Sequence, residues 1–201
     1  MKIIGISGIS GSGKSRLTKA VKETFGNEMV IIHQDNYYKD QSSISFEERV
    51  KTNYDEPESI EFDLMFKDVI SLLKGNRVDI PNYDFANHTR STSTTTKIPE
   101  KYLLVEGTMI YAYPELKDHI DLKIYVDTPM DIAIVRRITR DIEERDRRAS
   151  DIQAQYFGTV RKGMYQYTIS QKDQADLIIS GEKDVLDHLD FVSTIIKMKK
   201  N

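Results

Sequence analysis

The sequence predicts an α/β fold, a three-layer sandwich in which helices cover both faces of a parallel central sheet. Two observations predict it. Short apolar, β-branched runs recur without polar alternation, as strands buried on both faces require. Between them lie longer stretches with apolar residues at helical spacing. Residues 2–7 (Lys-Ile-Ile-Gly-Ile-Ser) form the first strand, halted by glycines. Leu17, Ala20, Val21 and Phe25 then mark a helix over 14–25, and Gly26-Asn27 supplies a left-handed stop. Further strands are expected at 29–33, 102–105, 122–126 and 176–179. Helices are expected over 45–51, 63–74, 129–147, 151–167 and 184–198. Only the stretch 75–98 breaks the rhythm. Its Pro81 and its run Ser91-Thr92-Ser93-Thr94-Thr95-Thr96 read as a small antiparallel β excursion near 76–98, with a flexible Ser/Thr loop as the alternative. The tail from Lys197 to Asn201 is expected to fray.

With 201 residues, the chain is expected to form one domain, 1–201, at most with an inserted lid. Lys and Arg number 29 against 32 Asp and Glu, a formal charge of −3. That balance argues against a nucleic-acid or membrane-surface binder, which would carry a basic excess. The absence of cysteine excludes disulfides, thiolate metal sites and Cys nucleophiles. No apolar run approaches the roughly 20 residues that span a bilayer, and Met1-Lys2 does not open a signal peptide, so a cytoplasmic location is expected.

The strongest motif is Gly8-Ile9-Ser10-Gly11-Ser12-Gly13-Lys14-Ser15, which fits G-x-x-x-x-G-K-[ST] at every fixed position. It also lies in the required context, after a buried strand and before an amphipathic helix. Glycines let the backbone curl until successive N–H groups point inward at phosphate oxygens, and the helix N-terminus adds its positive end. Lys14 would then reach the β- and γ-phosphates, and the Ser15 hydroxyl would ligate Mg²⁺. A nucleoside triphosphate is the expected ligand. Tyr102-Leu103-Leu104-Val105-Glu106 ends a buried strand on a carboxylate, so Glu106 is the candidate second metal ligand. The alternative is a strand-end carboxylate that caps the next helix.

A phosphate loop serves switches, motors and phosphotransferases alike. No Asn/Thr-Lys-x-Asp segment is present to read guanine, and the length leaves no room for the extra domains of a motor. Three polar-aromatic clusters, at 35–38, 53–57 and 80–90, instead suit a small hydroxylated acceptor. Asp35 stands after the second strand, where a carboxylate could accept an acceptor hydroxyl's proton or, alternatively, cap a turn. Asn53-Tyr54-Asp55-Glu56-Pro57 and Pro81 to Arg90 alternate aromatics with hydrogen-bonding groups. That is the equipment for a flat ring with polar edges and a vicinal diol, although each segment could equally be a turn packing its rings on the core. His88 is the only histidine inside such a cluster; His33, His119 and His188 read as surface or strand-end residues.

The run from Arg136 to Arg148 reads in two ways. Ile132, Val135, Ile138 and Ile142 suggest a core-facing stripe with most arginines outward, paired as Asp141–Arg145, Glu143–Arg147 and Glu144–Arg148 on a solvated helix. We prefer a lid, over about 137–165, whose guanidiniums close on the phosphates and exclude water.

Taken in order, these segments resemble the uridine kinase (uridine–cytidine kinase) family, relatives of phosphoribulokinase and bacterial pantothenate kinase. The likeness runs from the phosphate loop to about Ile179. It rests on Gln34-Asp35-Asn36-Tyr37-Tyr38, Asn53 to Pro57, Tyr83-Asp84-Phe85 with His88 and Arg90, Glu106-Gly107, Val126-Asp127-Thr128, Arg136 to Ile142, and Gln155-Tyr156. The resemblance implies a P-loop kinase using ATP (GTP being the alternative donor) and Mg²⁺, with ATP held by Gly8, Ser10, Gly11, Ser12, Gly13, Lys14, Ser15, Arg145 and Arg147. It makes Asp35 the general base toward a nucleoside 5′-hydroxyl, with Lys14 and Arg140 as its catalytic partners. Tyr38 would belong to the nucleoside site, Asp55, Arg137 and Gln155 would hold the ribose diol, Tyr83 and His88 would read the pyrimidine's 4-position edge, and Tyr54 and Phe85 would flank the ring. Ser15 and Glu106 would hold the metal. A homotetramer inhibited by pyrimidine nucleoside triphosphates is also implied. Three departures stand out. Asp146 replaces the glycine of the family's Glu-Arg-Gly-Arg, Lys162-Gly163-Met164-Tyr165 replaces Lys-Pro-Met-His, and Ser170-Gln171-Lys172 stands near an absent Glu-Pro-Ser-Lys. Rival readings are a small kinase for another metabolite, such as nicotinamide riboside or pantothenate, and a non-catalytic nucleotide sensor.

Overall fold

The structure, a computed structural model, describes residues 1–145 and 147–198, so Asp146 and the residues after Met198 lie outside it. Strands β1 (Lys2–Gly8), β2 (Met29–His33), β5 (Tyr102–Glu106), β6 (Leu122–Asp127) and β7 (Leu177–Ser180) form a parallel sheet in the order β2-β5-β1-β6-β7. The remaining two, β3 (Val78–Asp84) and β4 (Thr89–Lys97), form the separate antiparallel excursion expected from the Thr-rich run. Their pairing slips between Pro81 and Tyr83, where proline has no N–H to give the ladder.

Every residue of β1 is buried, which explains its lack of polar alternation. On one face Ile3, Ile32, Leu103 and Val105 pack against Met65, Val69 and Leu72 of α3 (Phe62–Leu73), with Val78 and Ile80 of β3 joining them. On the other, Ile4, Ile6, Leu104 and Ile124 meet Leu17 and Val21 of α1 (Lys14–Phe25) and Val192 and Ile196 of α8 (Leu189–Met198). Each such fully buried Leu or Ile contributes about 1.5–3 kcal/mol. Gly5 is the exception along β1, because a Cβ there would meet the Tyr111 ring at 2.8 Å. The space is used: the Tyr111 hydroxyl donates to the Gly5 carbonyl at 2.8 Å and accepts from the Ile124 N–H at 2.9 Å, stitching β1 to β6.

Smaller helices fill the connections. They are α2 (Phe46–Arg49), closed by a full Ser45–Glu48 capping box, and α4 (Pro114–Lys117). Later come α5 (Met130–Arg145), α6 (Ala149–Gln155) and α7 (Arg161–Gly163), the last two embedded in a helical run with π-turns at Tyr156–Val160 and Met164–Thr168. Among the described residues no helix is long and apolar enough to cross a membrane.

Helix α5 corrects the sequence reading. Its Val135 is 63% and its Ile142 43% exposed, while the buried positions are Ala133, Arg137 and Asp141. The helix therefore turns a charged stripe inward, at i, i+4 and i+8. The reason is location: α5 flanks a polar cavity and the phosphate loop, where Gly11 packs so closely that a Cβ would overlap the Ala133 carbonyl. Of the three ion pairs expected on a solvated helix, only Asp141–Arg145 forms among the described residues, and Asp141 is fully buried.

Candidate active site

The carboxyl ends of β1, β5 and β2 meet at one edge of the sheet, and chemistry collects there. From β1 the chain turns through Gly11 (φ 83°) and Gly13 (φ 97°), both left-handed, before α1 begins at Lys14. Adjacent strands are in register so that His33 of β2 lies beside Glu106 of β5. Three groups converge on this buried carboxylate: His33 Nδ1 donates to Oε2 at 2.8 Å, Ser15 Oγ donates to Oε1 at 3.3 Å, and Lys14 Nζ stands 3.7 Å from Oε1. Burial opposes the charge on Glu106, but the His33 hydrogen bond and the Lys14 charge outweigh it and hold the carboxyl below its ordinary range. An ionised carboxylate beside a loop hydroxyl is a hard-oxygen donor set of the kind Mg²⁺ takes. No group of three or more His, Cys, Asp or Glu side chains suited to a metal occurs among the described residues, so any such ion would need water and phosphate oxygens to complete its shell.

Next to this point opens a cavity of about 300 Å³. Its floor is Ser10, Lys14, Ser15 and Asp35, and its far wall is Tyr38, Tyr54, Asp55, Tyr83, Phe85 and His88. The third side is Arg137, Arg140, Arg145, Arg147 and Gln155. The fold thus assembles side chains from five separated segments, Glu144 of the Arg-rich run among them, together with Thr108, which no sequence motif marked. Glu106 borders an adjoining hollow with Ser15, Asp35 and Arg145.

Asp35 makes no hydrogen bond or ion pair among the described residues. Burial, and then the charge of Glu106, raise its pKa, opposed by Lys14, Arg145 and His33. It is held in place by its neighbours: Gln34 accepts from the Met109 N–H at 2.7 Å, and Asn36 donates to the Pro81 carbonyl at 2.9 Å. Arg140 lines the same cavity, but its fork is turned onto Asp141 (Nε 3.0 Å, Nη2 2.7 Å), and Arg145 is the guanidinium that acts on Asp35.

The aromatic wall is a continuous set of ring contacts. Tyr38 meets Tyr54 edge-on at 5.4 Å and Tyr83 at 5.0 Å, Tyr83 meets Phe85 at 5.2 Å, and Tyr54 stacks on His88 at 5.4 Å. Arg145 lies over Phe85 at 4.4 Å. His88 has φ 51°, a left-handed strain rare outside glycine and tolerated here where the ring must face the cavity. Burial, then Arg147 and Arg145, lower the His88 pKa, so the imidazole is neutral and offers one donor and one acceptor. The Tyr83 hydroxyl is buried with no partner in hydrogen-bonding geometry. Arg90 holds this wall from behind, donating from Nε to the Tyr38 carbonyl at 2.8 Å and pairing with Glu61 at 2.6 Å.

Opposite the rings, Arg137 reaches Asp55 (4.0 Å) and Gln155 (3.2 Å), and Arg147 also donates to Gln155 at 2.8 Å. Asp55 is raised in pKa by burial, which the Arg137 charge opposes. The departure at Gly163 acquires a reason here, since a Cβ at that position would overlap the Asp55 carbonyl oxygen. Gln171 likewise has a structural role, accepting from the Tyr111 N–H at 2.7 Å and donating to the Thr108 and Tyr167 carbonyls at 2.6 Å each. Lys172 pairs with Asp127 at 2.7 Å. His33, like Thr108, is a site residue that sequence reasoning passed over. Its signal was its place as the last residue of a strand whose neighbour also ends on a charged group.

Comparison with known proteins gives a consistent result. The model of the family described as "Phosphoribulokinase / Uridine kinase family" matches residues 3–186. A uridine kinase of Streptococcus gordonii is 42% identical over 196 residues, 97% of this chain and 93% of its own length. One from Streptococcus pneumoniae is 45% identical over 178 residues, 88% of this chain and 84% of its own. Among solved structures, phosphoribulokinase from Rhodobacter spheroides superposes with a TM-score of 0.64 at 14% identity, covering 89% of this chain and 69% of its own, a likeness of fold alone.

Proposed function

Since the chain belongs to the phosphoribulokinase/uridine kinase family, we propose that it transfers the terminal phosphoryl group of ATP to the 5′-hydroxyl of uridine, with cytidine as a second acceptor. One observation carries the reading. A carboxyl of raised basicity, Asp35, stands unpaired between the phosphate loop and the aromatic wall. In that position it accepts the acceptor's proton as the phosphoryl group arrives.

The residues divide the work. The loop amides from Gly8 to Gly13 and the Lys14 ammonium cradle the β- and γ-phosphates, and Arg145 and Arg147 neutralise charge from the lid side. Ser15 and Glu106 would hold Mg²⁺, which would supply charge neutralisation on the donor's phosphate oxygens. Asp55 accepts from the ribose diol, and Arg137 and Gln155 fix its position. Tyr54 and Phe85 confine the pyrimidine ring, while the Tyr83 hydroxyl and neutral His88 read its 4-position edge. The donor base lies in the hollow on the other side of Gly13, against Arg16, Arg136 and Val185. The same reading makes the chain a single kinase domain, working as a cytoplasmic homotetramer in pyrimidine salvage.

A coupled ADP-release assay across uridine, cytidine, adenosine and water tests this. ADP is expected with the two pyrimidine nucleosides; a full rate with water alone would overturn the kinase reading. Tyr83→Phe and His88→Ala should each lower kcat/KM for uridine by about 10- to 100-fold with the KM for ATP unchanged, because each removes a hydrogen bond that a polar ring edge cannot replace. Gly163→Ala is expected to push the Asp55 backbone away and raise the nucleoside KM by about ten-fold, again leaving ATP untouched.

A further inference from the structure

Asp141 is 0% exposed, yet one carboxylate there faces four guanidiniums. Arg140 grips Oδ1 through Nε at 3.0 Å and Nη2 at 2.7 Å. The others stand looser, with Arg145 Nη1 3.5 Å from Oδ1, Arg147 Nη1 3.6 Å from Oδ2 and Arg137 Nε 3.7 Å from Oδ2. Oδ2 and the Arg137 Nε are both buried without a hydrogen bond. A single negative charge cannot satisfy four positive ones, and burial and the Arg140 charge depress the Arg145 pKa in consequence. On the cavity side the four guanidiniums share the lining with Asp35, Asp55 and Glu144, and Arg145 and Arg147 are held by Asp141 at ion-pair distance without a hydrogen bond to its carboxylate.

Three of the four arginines also have an outward duty. Arg137 extends to Asp55 and Gln155, Arg147 to Gln155, and Arg145 lies over Phe85. The Arg147 backbone N–H donates to the Asp141 carbonyl at 3.1 Å, so Arg147 is tied to the same residue through its main chain as well. Asp141 is the point where these side chains are anchored at one end.

We propose that Asp141 is the positioning residue of the lid: it gathers the arginines into the cavity before the donor arrives, keeps Arg140 clamped on Oδ1, and releases the loosely held Arg145 and Arg147 to the polyphosphate. The inference rests on the ATP-dependent reading above and extends it to a residue that touches neither substrate.

Bare electrostatics and positioning predict opposite signs. Asp141→Asn removes a negative charge beside four guanidiniums, and by charge alone it should tighten binding of a polyanion. If the carboxylate sets the fan, the variant should bind inorganic tripolyphosphate about ten-fold or more weakly in titration calorimetry, because aligned charge-assisted hydrogen bonds are lost. Its KM for ATP should rise in parallel, and uridine affinity measured without donor should fall clearly less, because Arg137 keeps Asp55 and Gln155 as partners. Unchanged or tighter tripolyphosphate binding would overturn the inference, as would an equal loss for both ligands, the mark of a merely structural role. Asp141→Glu retains the charge and guards against a variant that does not fold. Its displaced carboxylate should cost about three-fold in tripolyphosphate affinity, and a wild-type value would count against the proposal. Failure of the underlying reading is separable: in that case the wild-type chain itself would not release ADP with uridine.

Discussion

Asp35→Asn is expected to lower turnover by about 10²- to 10⁴-fold while the KM for ATP stays within a small factor of wild type. The amide keeps the shape of the carboxyl and its place beside the phosphate loop, but it cannot take a proton. Steady-state kinetics with uridine and ATP check this, and turnover within a few-fold of wild type would remove Asp35 as the base. The raised pKa of Asp35 adds two further readouts. Burial and Glu106 raise the Asp35 pKa above 3.8, and only its ionised form accepts a proton. The wild-type rate should therefore fall on the acid side with a midpoint above the ordinary carboxylate range. The consequence for stability has the opposite sense. A carboxyl whose folded pKa is raised favours the fold fully below 3.8, and that contribution is lost as pH rises through the folded value. At neutral pH the charged Asp35 thus weighs against folding, and the uncharged amide should raise Tm. The gain should shrink as pH falls toward 3.8. A variant both slower and more stable is what a site strained for function predicts.

The sheet was legible from the sequence because its physics is local and uniform. Runs such as Lys2–Gly8 and Tyr102–Glu106 are buried on both faces, so their apolar character needs no knowledge of neighbours. The Thr-rich β4 was legible for a similar reason, its propensity being unopposed on an exposed face. Helix α5 was not. Apolar periodicity assumes that the inside of a protein is dry, and it pointed to Val135 and Ile142. The inside next to α5 is instead a charged cavity, and its stripe is Ala133, Arg137 and Asp141. The site residues whose roles escaped notice share one property, dependence on a contact between distant segments. His33 matters through the register that sets it beside Glu106, and Gly163 through the approach of Asp55. No spacing rule carries either contact. The phosphate loop, by contrast, holds its function in eight consecutive residues, and the clusters around Asp35, Asp55 and Tyr83 announced themselves by placing carboxylates among aromatic rings.

Lys14→Met is the second large effect, and it tests how the two halves of the site are coupled. The ammonium is buried in the first turn of α1, 3.7 Å from Glu106, with the cavity on its other side. Its loss should weaken ATP binding and lower turnover by about 10²- to 10³-fold, the usual cost of removing one preorganised charge from a developing anion. A thioether of similar length limits the packing change, so far-ultraviolet circular dichroism should be unaltered. The sharper readout is the pH profile of the residual activity. Lys14 is foremost among the charges that lower the Asp35 pKa, ahead of Arg145 and His33. Without it, the carboxyl loses its main electrostatic support, and the acid limb should move to higher pH. An unshifted limb at reduced rate would mean that the titrating base does not feel the phosphate-loop lysine and therefore does not stand where Asp35 stands. A shifted limb ties donor grip and acceptor activation together: the cation that holds the phosphates also keeps the base ionised.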